Sequence, residues 1–183
     1  MKIYKQIPLD KAYKVLNTGA LILISSTNSS NRHNLASYAW NCPVEFNPVT
    51  RFLFVCDKKH QTFANISETD KFVVCIPHVS QHKLVMDIGS CSGKTFQKIE
   101  KFHIETFKSK EYQLSIPEGC IAYVECKLKR IIDEENVGII ESEVIHAEVD
   151  INAFTDRLLS ETQFGKTLHS LGYPKSSSPK DLI

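Results

Sequence analysis

Thr62 and Asn65 stand three positions apart in the segment Gln61-Thr62-Phe63-Ala64-Asn65-Ile66, whose pattern reads as a short helix. A helix start leaves N–H groups unpaired and carries the positive end of the helix dipole, so it can receive an anion. Upstream, Asn34, Ala36, Ser37, Tyr38, Ala39 and Trp40 lie in a strand of small residues that ends in an aromatic. Ala36, Ser37 and Ala39 are small enough for backbone amides to come up against the edge of a planar ligand. Pro43-Val44 and Pro48 come next along the chain. Together the two segments describe a pocket for a flat ring carrying a phosphate tail.

Each of these residues also has a plainer reading. Ala and Ser alternate in any tightly packed strand. Trp40, the only tryptophan, can wall a pocket or fill the core, because large aromatics dominate core burial. Thr62 suits a helix N-cap, and the same geometry suits a phosphate. His60 and His169 invite acid–base roles because imidazole titrates near neutral pH. His60 reads better as a phosphate or surface residue, and His169 is the weaker candidate for the site. Lys58 and Lys59 are placed to supply positive charge near Thr62. Lys101 can pair with an anionic ligand or sit solvated on its loop. Lys127, Lys129 and Arg130 form a small basic stripe that reads as a wet face.

The elements that must position these residues follow from periodicity. Apolar residues at 9, 12, 13 and 16 predict a helix after Pro8, ended by Asn17-Thr18-Gly19. Residues 20–26 read as a buried strand and 33–40 as its hairpin partner across a polar turn. Residues 51–57 and 71–77, rich in Phe and Val, are two further strands bridged by a helix over 62–67. Leu84, Val85 and Ile88 predict a helix over 80–88. Residues 89–110 carry few apolar side chains and read as a long, weakly structured loop, the kind often used for function. In 120–130, Ala122, Val124, Cys126 and Leu128 alternate with Glu125, Lys127 and Lys129, a strand with one wet face. Residues 137–149 are its hairpin partner across a turn at 133–136. Residues 154–172 carry helical spacing, and 176–179 read as loose. Six or so hairpin-paired strands and few helices predict a mainly β protein, an antiparallel barrel.

At 183 residues the chain is expected to be one domain with a sizeable core. It is 42% hydrophobic and 23% charged with a net charge of +1, so no bulk field points to nucleic acid or an anionic membrane. The longest clean apolar run, residues 20–24, is far too short to cross a bilayer, and no secretory signal pattern opens the sequence. A cytoplasmic address is expected. Six scattered cysteines contain no C-x-x-C pair, which argues against structural zinc and, without an export signal, against disulfides. Cys56 and Cys75 read as buried hydrophobes. Cys42 stands nearer the candidate pocket. No G-x-G-x-x-G follows a strand, so a Rossmann site is unsupported.

From about Ala12 to Gly172 the chain resembles the flavin reductase-like FMN-binding family, which includes the flavoredoxins. The most specific likeness is Asn34-x-Ala36-Ser37-x-Ala39-Trp40-x-x-Pro43-Val44 followed by Pro48. Further likenesses are Thr62-x-x-Asn65-Ile66, Lys101-Phe102, Glu143-Val144 and Leu168-His169-Ser170-Leu171-Gly172. The resemblance implies a Greek-key-like split β-barrel over 1–183, with 173–183 as a loose tail, and FMN as cofactor. It implies that residues 34–40 lie along the isoalloxazine ring and that 58–65, with Lys58, His60, Thr62 and Asn65, hold the phosphate. Lys101 would stabilise negative charge on the reduced ring. It further implies NADH or NADPH as donor, with electrons passing on to free flavin, oxygen or a protein acceptor, and a homodimer. Hydride transfer itself needs no protein base. Three positions depart from the family pattern: His60 where many relatives place arginine, Glu100 where aspartate is expected, and Ser142 where glycine is common. A non-enzymatic FMN electron carrier stays open as an alternative. So does a barrel that binds another ligand, such as haem or a pyridoxal phosphate relative.

Overall fold

The computed structural model describes residues 19–171 and 175–177. The helix expected over 9–16 lies outside them. In chain order the strands are β1 (Ile22–Thr27), β2 (His33–Tyr38), β3 (Asn41–Glu45), β4 (Arg51–Asp57), β5 (Lys71–Pro77), β6 (Thr106–Lys108), β7 (Ser115–Pro117), β8 (Cys120–Asp133), β9 (Val137–Val149), β10 (His169–Ser170) and β11 (Ser176–Ser177). The helices are α1 (Gln61–Thr69), α2 (His82–Gly89) and the single turn α3 (Lys98–Lys101).

Seven strands form one antiparallel sheet in the order β2-β1-β5-β8-β9-β4-β3. Its two edges, β2 and β3, follow one another in sequence, separated only by Ala39 and Trp40. A sheet whose first and last strands are so joined must curl almost closed, which gives the expected split barrel. At the seam, Asn41 Nδ2 donates to Ala20 O at 2.9 Å and Val55 N donates to Trp40 O at 3.0 Å.

Because side chains alternate along a strand, each face of the sheet collects its own core. Ile22, Ile24, Phe54, Phe72, Val74 and Ile140 fill the barrel, joined by Ile66 from α1. Leu21, Leu23, Val73 and Cys75 face outward and are covered by Val85 and Ile88 of α2, with Leu114, Ile116 and Leu168. Fully buried Ile66 pins α1 to the barrel, a burial that contributes about 1.5–3 kcal/mol.

Several expectations are corrected. β3 has no counterpart in the sequence reading: Pro43 hides it, since proline is tolerated only on an edge strand. Glu125 is fully buried, not on a wet face. Its carboxylate accepts from Glu111 N at 2.9 Å and Tyr112 N at 2.8 Å, and the register of β8 against β9 shifts next to it. The stretch 89–110 holds α3 and β6, and Ile99 and Ile104 pack against the outer core. Residues 154–171 form turns and short bridges instead of a helix. There Thr162 Oγ1 donates to Leu159 O and accepts from the Phe164 and Gly165 amides, a local alternative to helical bonding. Leu168 and Ala153 supply the apolar anchors. Ser176 and Ser177 pair with Ser170 and His169.

Candidate functional site

A cleft of about 240 Å³ opens beside β2. One wall is β2 itself, at Asn34, Ala36, Ser37 and Tyr38. The second is the start of α1, at His60, Gln61 and Thr62, and the third runs from Ile88 at the end of α2 through Gly93. Lys98 of α3 completes it. Two local features give the cleft its chemistry. β2 is an edge strand, so one row of its backbone groups is free of sheet bonding. The N-cap of α1 is His60, whose side chain makes no capping bond; in the first turn of this nine-residue helix the Phe63 amide meets the Cys56 thiol, and no capping side chain meets the Gln61 and Thr62 amides among the described residues. Thr62 is therefore inside the first turn and not its cap.

Buried hydrogen bonds fix these walls to one another. Asn34 Nδ2 donates to Thr62 Oγ1 at 3.0 Å, tying β2 to α1. Asn65 turns away from the cleft: it donates to Ser26 Oγ at 3.0 Å and accepts from Gln61 Nε2 at 2.7 Å, fastening α1 to β1. The Tyr38 hydroxyl sits 3.1 Å from Cys56 Sγ and 3.4 Å from His60 Nδ1. Burial holds Tyr38 well above the usual phenol range and pushes the Cys56 thiol up to about 11, so both stay neutral at physiological pH.

The 89–93 loop closes down on β2 through glycines. A Cβ on Gly93 would stand 2.0 Å from Asn34 Oδ1, and one on Gly89 would stand 2.7 Å from Ser37 Oγ. Asn34 Oδ1 is buried and has no hydrogen-bond partner among the described residues. Beyond Gly89 a second hollow of about 160 Å³ shares Ser37, Tyr38 and Gly89 with the first. It adds Leu21, Ala39, Val85 and Met86, and Lys175 from the tail. The two hollows together run along β2 from Asn34 and past its end to Ala39, with mixed polar and apolar walls.

Other residues singled out in the sequence lie elsewhere. Trp40 is 47% exposed and lines an apolar groove at the seam with Cys42, Leu53 and Val55, and it is not among the residues of the cleft. Lys58 Nζ pairs with Asp133 Oδ1 at 2.6 Å, at the β8–β9 turn. Lys101 Nζ lies 3.4 Å from the centroid of the Phe96 ring and does not line the cleft. His169 Nε2 is 3.1 Å from Thr167 Oγ1, outside both hollows. Sequence reasoning missed Lys98, Cys91 and the serine–glycine run 89–93. The pair of glycines flanking Ser90-Cys91-Ser92 was the available signal for a close approach.

Residues 16–167 match the family described as flavin reductase like domain. The chain belongs to that family. It is 32% identical over 176 residues to the uncharacterized protein YddH of Escherichia coli (strain K12), a match covering 94% of this chain and 93% of that one. Among solved structures, nitrilotriacetate monooxygenase component B from Bacillus cereus superposes with a TM-score of 0.87 at 17% identity, covering 100% of this chain and 99% of that chain. An FMN-binding domain of a flavin reductases-like enzyme from Shewanella baltica OS155 gives 0.79 at 26% identity, covering 97% and 94%. Two of the departures from the family pattern, at 142 and 100, lie away from the cleft. Ser142 is buried in β9 and donates to Phe52 O at 3.0 Å, and Glu100 sits on α3 outside the cleft. His60 is different, because it lines the cleft.

Proposed function

We propose that this flavin reductase-like chain binds FMN along β2 and works as an NAD(P)H-dependent oxidoreductase. The observation that carries the reading is the uncapped first turn of α1 opening into a cleft whose other wall is the bare edge of β2. A phosphate fits the former, because His60 caps neither the Gln61 nor the Thr62 amide. A planar ring fits the latter, where Ala36, Ser37 and Ala39 leave the backbone approachable. The buried Asn34 Oδ1, unpartnered among the described residues, suits a hydroxyl or N–H donor of the same ligand. The donor set thus fits FMN at both its polar and its apolar end.

When bound, FMN supplies the redox chemistry, accepting hydride from NADH or NADPH and releasing electrons to free flavin, oxygen or a protein acceptor. The chain's own residues bind and orient. Thr62 and Asn34 hold the two walls in register, the β2 edge offers N–H donors to the ring, and Gly89 and Gly93 let the loop exclude water. Tyr38 and Cys56, both neutral, take no proton in the reaction. A homodimer belongs to the same reading. The groove at Trp40, with exposed Val44, Phe46 and Val49 beside it on or near β3, is the kind of apolar surface that marks an interface.

Titrating FMN into the purified chain tests the binding, and adding NADH or NADPH without oxygen tests the reaction. Saturable binding followed by rapid bleaching supports the enzyme. Binding without bleaching leaves an electron carrier, and no binding overturns the reading. Sedimentation of wild type against Phe46→Asp tests the dimer: only the wild type should sediment at twice the chain mass.

A further inference from the structure

A role for Lys98 rests on the FMN reading, which leaves open which side chain meets the phosphate. Lys98 is 5% exposed, although it opens the short turn α3, and it lines the cleft together with Gln61 and Thr62. Its ammonium donates to Ile88 O at 2.8 Å. An ammonium carries three donors, and among the described residues no carboxylate forms an ion pair with it. Burial lowers its proton affinity, with Cys91 nearby acting the other way. A buried cation without a counter-charge is unfavourable, and the unfavourable balance disappears when a ligand brings the anion.

Of the other cations near the cleft, Arg32 stays on its rim, where Nη2 donates to Gly93 O at 3.3 Å, and it is not among the lining residues. Lys58 pairs with Asp133 and Lys101 stands over Phe96. We infer that Lys98 is the phosphate partner of the cleft, holding the phosphomonoester of the flavin nucleotide together with the first turn of α1. Through Ile88 O the same ammonium ties the anion to the end of α2, where the 89–93 loop begins. A purely structural Lys98, serving only to hold α3 against Ile88, would affect phosphorylated and unphosphorylated flavins alike.

FMN and riboflavin titrated separately into wild type, Lys98→Met, Lys98→Arg and Lys101→Met distinguish the two roles. Lys98→Met should weaken FMN by about tenfold to a hundredfold, the range for a charge-assisted hydrogen bond, and leave riboflavin unchanged. Lys98→Arg should keep most of the FMN affinity, and Lys101→Met should behave as wild type. A readout in the wild type alone covers a Lys98→Met that fails to fold: inorganic phosphate should compete with FMN but not with riboflavin, and should protect Cys91 from iodoacetamide. The assignment is overturned if Lys98→Met weakens both flavins together or neither, or if phosphate neither competes nor protects. A wild type that binds both flavins while these signatures fail removes only the role of Lys98; a wild type that binds neither removes the FMN reading as well.

Discussion

Asn34 and Thr62, 28 positions apart, meet in a buried hydrogen bond of 3.0 Å that joins the edge strand β2 to the first turn of α1. Both walls of the cleft depend on that bond, and both residues are buried. Thr62→Val keeps the shape but strands the Asn34 Nδ2 donor. Unfolding in urea should show a loss of about 1–3 kcal/mol, and FMN affinity should fall with it. An unchanged midpoint would mean that the walls are held by packing alone.

Gly93 is the point where the loop touches β2. Alanine there would bring Cβ to 2.0 Å from Asn34 Oδ1 and 2.8 Å from its Cγ, and Asn34 is buried and cannot swing clear. The loop must lift instead. Gly93→Ala is expected to speed trypsin cleavage after exposed Lys94 and to weaken FMN. Equal cleavage rates in the two proteins would show that the close approach has no consequence.

His33 gives a pH dependence of definite sign. Burial, then the Lys108 ammonium 3.3 Å from Nε2, lower its pKa from 6.5, and its buried Nδ1 has no partner among the described residues. Between the lowered folded value and 6.5 the unfolded chain binds more protons, so stability falls as pH drops through this window. Above it both states are neutral and the penalty vanishes. Melting curves should show a smaller acid-side loss for Lys108→Met than for wild type. A Lys108→Met curve parallel to wild type would remove the lysine as a cause.

Glu125 should matter for stability and not for the ligand. Its carboxylate holds the amides of Glu111 and Tyr112, and a glutamine has a single oxygen for two donors. Glu125→Gln is expected to cost about 1.5–3 kcal/mol while FMN affinity stays within about twofold. A large change in affinity would place Glu125 in the site after all.

Local periodicity carried much of this fold in the sequence. Residues 51–57, 71–77 and 137–149 alternate or run apolar without interruption, and their strand bounds follow. Where side-chain chemistry competes with periodicity, the reading failed. Glu125 looked solvated because its two amide donors come from 14 and 13 residues away in a loop. The 154–171 strap keeps helical spacing of apolar residues, yet Ala153 and Leu168 anchor an irregular path. In the cleft, Asn34, Ala36, Ser37, Tyr38, His60 and Thr62 were legible as adjoining local motifs. Lys98 was not, because nothing local distinguishes a lysine buried by tertiary packing from the solvated Lys101 three residues on.

A crystal structure of the chain grown with FMN tests the central claim most directly. The phosphate is expected within hydrogen-bonding distance of the Gln61 and Thr62 amides, with the ring lying along residues 36–39. Flavin seated elsewhere, or a cleft left empty at saturating FMN, would contradict it.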